Sequence, residues 1–376
     1  MGDLTIRCNR NGWSLRSSDP LLHRGVVIVQ NSGCHRMNRI TYHASIADEL
    51  QSWSDEALLR LLNAVQISTI GHGTISLPSH TTQIFVKLVP LTALEKQSQN
   101  YQSTANCFQL PTYYQYRLGS CGFGAWRELE AHQLTNQWVM SGQCPHFPLL
   151  HHWRVLPIAP THYDDRIDRQ RWGNCEAIHQ RVAAIAAATH SIGMFLESYP
   201  LTRSQWFREQ WLQGADPMAT IMDVEAPLIG ILSFLKSQGL LHLDAHFDNI
   251  LTDGQQLFLT DYGLALASQF QLDAAERQFF KQHQNFDICT TLTSLVHAIV
   301  NRYDDRPDWR QVLQNLTDDN HSSASMVPPD VRAYLTSRLP LVMKIGDFYR
   351  QLLADLNTPY PAAELQRILN ELTESV

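Results

Sequence analysis

The chain has 376 residues, of which 44% are hydrophobic and 17% charged, and its formal net charge is −7. This size allows two or three domains or lobes with a substantial core, and the acidic balance argues against a general nucleic-acid binder. Seven cysteines without a CxxC pair or zinc-type spacing fit a reducing cytosol better than a disulfide framework. We see no signal core and no run of about 20 apolar residues, so we expect a cytoplasmic protein without a membrane span. Its oligomeric state stays open.

The elements predicted along the chain divide it into three parts. Residues 1–50 are polar and poorly periodic, a capped helix is predicted from Ser54, and we interpret residues 1–60 as an N-terminal extension. Residues 61–197 are β-rich with one prominent helix, and they contain an insertion at about 155–190. Residues 198–376 are mostly helical. The expected architecture is therefore α+β, with a β-rich first lobe and an α-rich second lobe.

Five segments carry the clearest patterns of this organisation. The first lobe has β-rich runs over 65–90, an apolar stripe typical of a helix over 126–140, and a short strand over 192–197. In the second lobe, 221–238 and 286–300 have the composition of long helices.

The segment His242-Leu-Asp-Ala-His-Phe-Asp-Asn249 carries the strongest functional signal. Two short apolar runs follow it, and Asp253-Gly254 between them predicts a tight hairpin, because glycine accepts positive φ. A hairpin returns the chain to its starting point, so Asn249 and Asp261 are expected side by side. Two oxygen ligands at one place suit Mg²⁺, which keeps water and phosphate oxygens in its shell. The pattern favours phosphoryl transfer from ATP.

These motifs resemble the protein-kinase-like fold over roughly residues 65–300. Asp244 and Asn249 have the spacing of the kinase catalytic loop, and Asp261-Tyr-Gly is similar to the DFG motif. The resemblance implies a bilobal fold with ATP between the lobes. It also implies that Asp244 orients the acceptor hydroxyl and that Asn249 and Asp261 hold Mg²⁺.

Upstream residues extend the resemblance into the first lobe. Lys87 lies inside an apolar run similar to the strand whose lysine binds the ATP phosphates, and burying an unpaired ammonium is costly. Its expected partner is Glu128 or Glu130, which cannot both face the lobe interior. The helix that Glu128 opens and the Pro-x-Phe-Pro that follows it resemble divergent, haspin-like and bacterial eukaryotic-like Ser/Thr kinases. That resemblance selects Glu128.

Four other residues match weaker family positions. Gly71 and Gly73 resemble a loop that covers the nucleotide, although a plain hairpin would use the same residues. Glu197 lies where the interlobe hinge would begin and its backbone would contact adenine. Asp287 resembles the helix residue that steadies the catalytic loop, and a helix N-cap is its alternative role.

The chain also departs from the protein-kinase pattern. Leu243 replaces the arginine that receives an activation-loop phosphate, and no APE-like motif lies between Gly263 and Asp287. His246 is similar to a histidine of aminoglycoside and choline kinases. These departures leave the acceptor class open.

The leading hypothesis is an ATP- and Mg²⁺-dependent phosphotransferase, with a protein Ser/Thr acceptor favoured over a small molecule. A small-molecule kinase and a nucleotide-binding pseudokinase scaffold are the alternatives. A further hypothesis is a transition-metal site at His242, Asp244 and His246, as in a metal hydrolase. Another is nucleotidyl transfer on the same fold.

Overall fold

The structure is a computed structural model. It describes residues 7–9, 12–14, 36–64, 72–77, 80, 83–160, 171–304, 306, 308–318 and 320–374. Residues 65–70 of the predicted β-rich stretch and the candidate Gly71 lie outside the described residues.

Strands and helices alternate in the first part of the chain, and helices dominate the second. The strands are β1 Arg7–Asn9, β2 Gly12–Ser14, β3 His72–Ser76, β4 Gln83–Leu91, β5 Leu150–Leu156, β6 His190–Glu197, β7 Leu201–Thr202, β8 Leu240–Leu241, β9 Ile250–Thr252, β10 Leu257–Leu259 and β11 Leu266–Ala267. The helices are α1 Arg36–Ser52, α2 Asp55–Ala64, α3 Ala125–Met140, α4 Glu176–Ala186, α5 Arg203–Leu212, α6 Pro217–Ser237, α7 Ala274–Gln282, α8 Phe286–Tyr303, α9 Trp309–Thr317, α10 Pro329–Ala354 and α11 Ala362–Glu374.

A four-stranded antiparallel sheet in the order β3-β4-β6-β5 forms the centre of the first lobe. One face contacts α3, where Trp126 and Leu129 pack with Met194 of β6. The register sets His72 of β3 opposite Lys87 of β4. Residues 92–124 connect β4 to α3, and we call them the β4–α3 segment.

Helices α1 and α2 cover the opposite face of this sheet. Ile46, Leu50 and Leu58 are buried there against Ile84 and Val86. Helix α1 is missing from the sequence-based prediction because its buried stripe is narrow and includes a histidine, so the apolar periodicity is weak. This packing joins residues of the predicted N-terminal extension to the sheet; the domain boundaries themselves stay predictions.

The largest core lies in the second lobe, where α6, α8 and α10 pack together. The β-rich first lobe and helical second lobe confirm the predicted α+β, bilobal architecture. Hairpin β9–β10 lies in the second lobe and presents the predicted motifs at its ends.

Among the described residues, one helix, α6, is long and apolar enough to cross a membrane. Glu225 and Pro227 interrupt the apolar run of α6, so no membrane span is predicted there from the sequence. Within the fold 44% of that window is buried, and Glu225 accepts a 2.7 Å hydrogen bond from Arg338 of α10. Core helices of folded domains have the same composition, so the absence of a membrane span and the cytoplasmic location stay predictions.

Candidate active site

The loop after β8 is held by a carboxylate of α8. Asp287 accepts hydrogen bonds from the backbone N–H groups of His242 and Leu243, both at 2.7 Å. Asp287 lies inside α8, whose N-cap is Asn285, so the structure supports the loop-steadying position over the N-cap alternative. Leu243 has φ +62°, a conformation that costs about 1–3 kcal/mol and persists only where neighbours enforce it. The Asp287 bonds supply that enforcement.

We expect Asp287→Ala to lower the free energy of unfolding by roughly 3 kcal/mol, because two buried N–H donors lose a charged acceptor. Asp287→Asn keeps one carbonyl acceptor and should lose less. Urea unfolding of the three proteins measures this. Equal unfolding midpoints for wild type and Asp287→Ala would contradict the assigned contact.

Three of the four ring nitrogens of His242 and His246 form hydrogen bonds within the protein. His242 donates from Nε2 to the Thr260 carbonyl at 2.9 Å, and its Nδ1 accepts from the Asp244 N–H at 3.2 Å. Burial lowers the pKa of His242 to about 4, which matches this neutral tautomer. Nδ1 of His246 accepts from the Asp248 N–H at 3.2 Å. No cluster of three metal-binding side chains exists among the described residues, and these bonds argue against the metal-hydrolase alternative.

Hairpin β9–β10 places the two predicted metal ligands. Leu257 pairs with Thr252 and Leu259 with Ile250, and the Thr260 N–H then donates to the Asn249 carbonyl at 3.0 Å. Asp261 therefore follows directly after the residue that pairs with Asn249. The turn depends on Gly254, whose φ is +94°, as the Asp-Gly pair predicts.

Lys87, Glu128 and Asp261 form a triad between the lobes. Nζ of Lys87 lies 2.5 Å from Oε1 of Glu128 and 2.8 Å from Oδ1 of Asp261. Although burial disfavours the ammonium, the two carboxylates raise the pKa of Lys87 above its usual value. Burial opposes ionisation of Asp261 as well, but Lys87 lowers its pKa well below the usual range. The structure thus brings Glu128, and not Glu130, to Lys87.

A cluster of aromatic rings connects this triad to the loop after β8. The Tyr262 ring lies edge-on to His132 of α3, with centroids 4.7 Å apart, and 5.2 Å from the ring of His242. Its hydroxyl donates to the Leu259 carbonyl at 2.7 Å. His132 lies one helical turn after Glu128, on the same face of α3, a spacing that could have indicated it from the sequence.

Asp244 lies beside Asn249 on the same loop. Nδ2 of Asn249 donates to the Asp244 carbonyl at 3.0 Å and to Oδ2 of its side chain at 3.3 Å. Burial raises the pKa of Asp244 to about 7, and Arg117 opposes that rise. Oδ1 of Asp244 is buried without a hydrogen bond. A carboxylate with this pKa and an oxygen that accepts no hydrogen bond can accept a proton near neutral pH.

The side chains around Asn249 and Asp261 fit a magnesium ion. The amide nitrogen of Asn249 donates its hydrogen bonds to Asp244, so the amide oxygen stays available for a cation. Oδ1 of Asp261 accepts a hydrogen bond from Lys87, and the Asp261 side chain is 43% exposed. Its second oxygen can therefore bind a cation. One amide and one carboxylate oxygen suit Mg²⁺, which takes its remaining ligands from water and phosphate.

The predicted nucleotide-covering and hinge residues have different surroundings. Gly73 lies in β3 opposite Val86, next to the pair of His72 and Lys87, so the start of β3 approaches the triad. Gly71 lies outside the described residues. Glu197 ends β6, and its N–H donates to the Leu149 carbonyl at 2.9 Å. The role of its backbone toward adenine stays a prediction.

Arg39 of α1 is a partner of Glu197 that the sequence analysis did not find. Its Nε donates to the Glu197 carboxylate at 2.8 and 2.9 Å, and Nη1 donates to the Pro145 carbonyl at 2.8 Å. Nη2 donates to the Phe147 carbonyl. One guanidinium thus ties α1 to the end of β6 and to the turn after α3.

We expect Arg39→Ala to lower the free energy of unfolding by roughly 1–3 kcal/mol, because Glu197 and two carbonyl groups lose a charged donor. Arg60→Ala, on the exposed face of α2, is the matched control and should stay near wild type. Chemical denaturation compares them, and equal losses for both variants would contradict the assigned role of Arg39.

Arg117 of the β4–α3 segment is a further residue at the site that was not predicted from the sequence. Its Nε lies 3.1 Å from Oδ1 of Asp244. The segment has little regular structure apart from a 3₁₀ turn over Thr112–Gln115. No local pattern in it signals a contact with a loop so distant along the chain.

Comparisons with known proteins identify no family. A scan against protein-family models finds no match, and a search of curated proteins finds none either. Among solved structures, the chain is similar to one titled "WaaP in complex with acyl carrier protein". The identity is 11%, the TM-score is 0.36, and the match covers 79% of this chain and 92% of that chain. A likeness at this level assigns no activity.

Proposed function

We propose that this protein transfers the γ-phosphoryl group of ATP, with Mg²⁺, to an alcohol group. The observation that carries the proposal is the triad of Lys87, Glu128 and Asp261 beside the loop of Asp244 and Asn249. In a kinase fold these groups position the phosphates and neutralise their charge, which is most of what phosphoryl transfer requires. A structural ion pair alone would not account for the oxygens of Asp244, Asn249 and Asp261 that accept no hydrogen bond from a described residue.

Each side chain has a proposed role in this reaction. Lys87, held by Glu128, binds the ATP phosphates. Asn249 and Asp261 would hold Mg²⁺, which supplies charge neutralisation at the phosphates when it is bound. Asp244 orients the acceptor hydroxyl and takes its proton, and its pKa of about 7 suits that step.

For the acceptor, the sequence favours a Ser or Thr of a protein. A specific contact favours the second candidate, a small-molecule alcohol. The β4–α3 segment lies along residues 264–283, the part of the chain where a protein kinase would carry its peptide platform. Gln115 donates to the Leu264 carbonyl at 2.7 Å, and Gln271 donates from its N–H to Thr104 at 2.9 Å. A surface that is already covered offers a peptide little room.

The proposal is tested against the pseudokinase alternative by measuring binding and turnover in the same samples. We expect ATP–Mg²⁺ to raise the melting temperature of both wild type and Asp244→Ala. We expect only wild type to transfer label from γ-labelled ATP to components of a cell extract. Binding by both proteins with transfer by neither would favour the scaffold and contradict the proposal.

A further inference from the structure

The β4–α3 segment crosses from the first lobe and is anchored in the second. Tyr116 is buried against Phe279, Phe286 and Phe348. Nδ1 of His283 bonds the Phe279 carbonyl at 2.7 Å and is therefore the protonated nitrogen, so the Tyr116 hydroxyl donates to Nε2 at 2.7 Å. These contacts fix the segment to helices α7, α8 and α10.

The same segment passes directly against the Asp261-Tyr-Gly motif. A Cβ at Gly122 would lie 2.2 Å from the Gly263 carbonyl oxygen, and Gly122 has φ +73°. Both observations require glycine at this position. The β4–α3 segment is thus a wall of the candidate active site and not a loop at a distance from it.

Arg117 is held in this wall by anchored neighbours. Tyr116 before it is in the core, and Leu118 after it is buried, with its carbonyl accepting a hydrogen bond from Arg171. The backbone at Arg117 is therefore fixed while its side chain stays 41% exposed. From there Nε reaches to 3.1 Å from Oδ1 of Asp244.

The contact between Arg117 and Asp244 leaves both groups with unused bonding capacity. It is an ion pair without hydrogen-bond geometry, since Oδ1 of Asp244 has no hydrogen-bond partner. No described residue accepts from the Nη1 and Nη2 groups of Arg117. A guanidinium with a free fork is suited to bind a carboxylate or phosphate through two parallel hydrogen bonds.

The surroundings make Arg117 the cation on this side of Asp244. Nε2 of His246 lies 3.7 Å from Oδ1 of Asp244. Nδ1 of His246 accepts a hydrogen bond from the Asp248 N–H, so this nitrogen carries no proton and the ring is neutral. Asp248 lies on the far side of that ring, 3.8 Å from Nδ1. Lys87 is engaged by Glu128 and Asp261.

We propose that Arg117 is an acceptor-binding residue, and that the acceptor is a small-molecule alcohol carrying a phosphate or carboxylate near its hydroxyl. The inference rests on the proposed function and names its substrate class. The anionic group accepts hydrogen bonds from Nη1 and Nη2 of Arg117 and moves the guanidinium away from Asp244. Oδ1 of Asp244 is then available to the acceptor hydroxyl. The bond between the γ-phosphorus and the β,γ-bridging oxygen breaks, and a bond from the γ-phosphorus to the acceptor oxygen forms. The hydroxyl proton passes to Asp244, and ADP leaves.

The test uses γ-labelled ATP and a cell extract separated into macromolecules, anionic small molecules, and neutral or cationic small molecules. We expect wild type to label the anionic small-molecule pool. Arg117→Ala should lower kcat/KM for an acceptor isolated from that pool by roughly 10- to 100-fold, the value of a charged bidentate contact. The KM for ATP should not change. Arg117→Lys should restore part of the loss, and Arg367→Ala, on exposed α11, should match wild type.

Three outcomes would overturn the inference while leaving the phosphotransferase intact. They are label in macromolecules only, label in the neutral or cationic pool that Arg117→Ala does not alter, and an equal rate increase for every pool in Arg117→Ala. The last result would identify an inhibitory latch. If wild type labels no pool, the proposed function is contradicted and the inference with it.

Discussion

Asp244→Asn is expected to lower kcat by about 10²- to 10⁴-fold, the usual value of a positioned general base, while the Kd for ATP–Mg²⁺ stays unchanged. The reason is that Asp244 has a buried oxygen without a hydrogen bond, while Lys87, the residue proposed to bind the phosphates, is paired with Glu128 and Asp261. Steady-state kinetics and titration calorimetry on the same preparation measure both quantities. A parallel loss of nucleotide binding would place Asp244 in the nucleotide site instead.

The same carboxylate predicts a pH dependence. Burial raises the pKa of Asp244 to about 7, so the group is protonated below that pH and cannot accept the hydroxyl proton. Turnover should therefore rise with pH through about 7 and level off above it. The residual turnover of Asp244→Asn should not rise with pH over this range. A wild-type profile that is flat from weakly acidic to weakly alkaline pH would contradict the assigned role.

Asp261→Asn is expected to abolish Mg²⁺-dependent nucleotide binding and to lower kcat/KM by at least roughly 10²-fold. One substitution removes a proposed metal ligand and one of the two carboxylates that hold Lys87. Glu128 continues to pair with the ammonium, so the folded protein should persist. Circular dichroism checks the fold, and fluorescence titration with a labelled ATP analogue measures binding with and without Mg²⁺.

Glu130→Gln is the control for this experiment. It removes one carboxylate from α3 near the site, and no described residue bonds that carboxylate. It should bind ATP–Mg²⁺ and turn over like wild type. If Asp261→Asn and Glu130→Gln lose activity equally, a general charge effect and not metal or lysine binding would explain the loss.

Much of the candidate site follows from local patterns in the sequence. Asp253-Gly254 between two apolar runs is a short-range hairpin signal, and the hairpin alone brings Asn249 next to Asp261. Lys87 in an apolar strand requires a buried partner because an unpaired ammonium is costly there. Glu128 satisfies that need from the first turn of α3.

The contacts made by the two missed arginines could not be predicted in this way. Arg39 lies in a helix with a weak apolar stripe, and its partner Glu197 ends strand β6, which is distant along the chain. Arg117 lies in an irregular segment whose course is set by burial of Tyr116 in the second lobe. Both depend on tertiary packing between distant parts of the chain, which neither periodicity nor residue spacing encodes.

The central claim, transfer of the γ-phosphoryl group, is tested most directly by ³¹P NMR of a reaction that contains the protein, ATP, Mg²⁺ and the anionic small-molecule pool. We predict that ADP accumulates in step with one new phosphomonoester signal, and that neither forms with Asp261→Asn. Release of pyrophosphate with a new phosphodiester signal, in place of ADP and the phosphomonoester, would show nucleotidyl transfer and contradict the account.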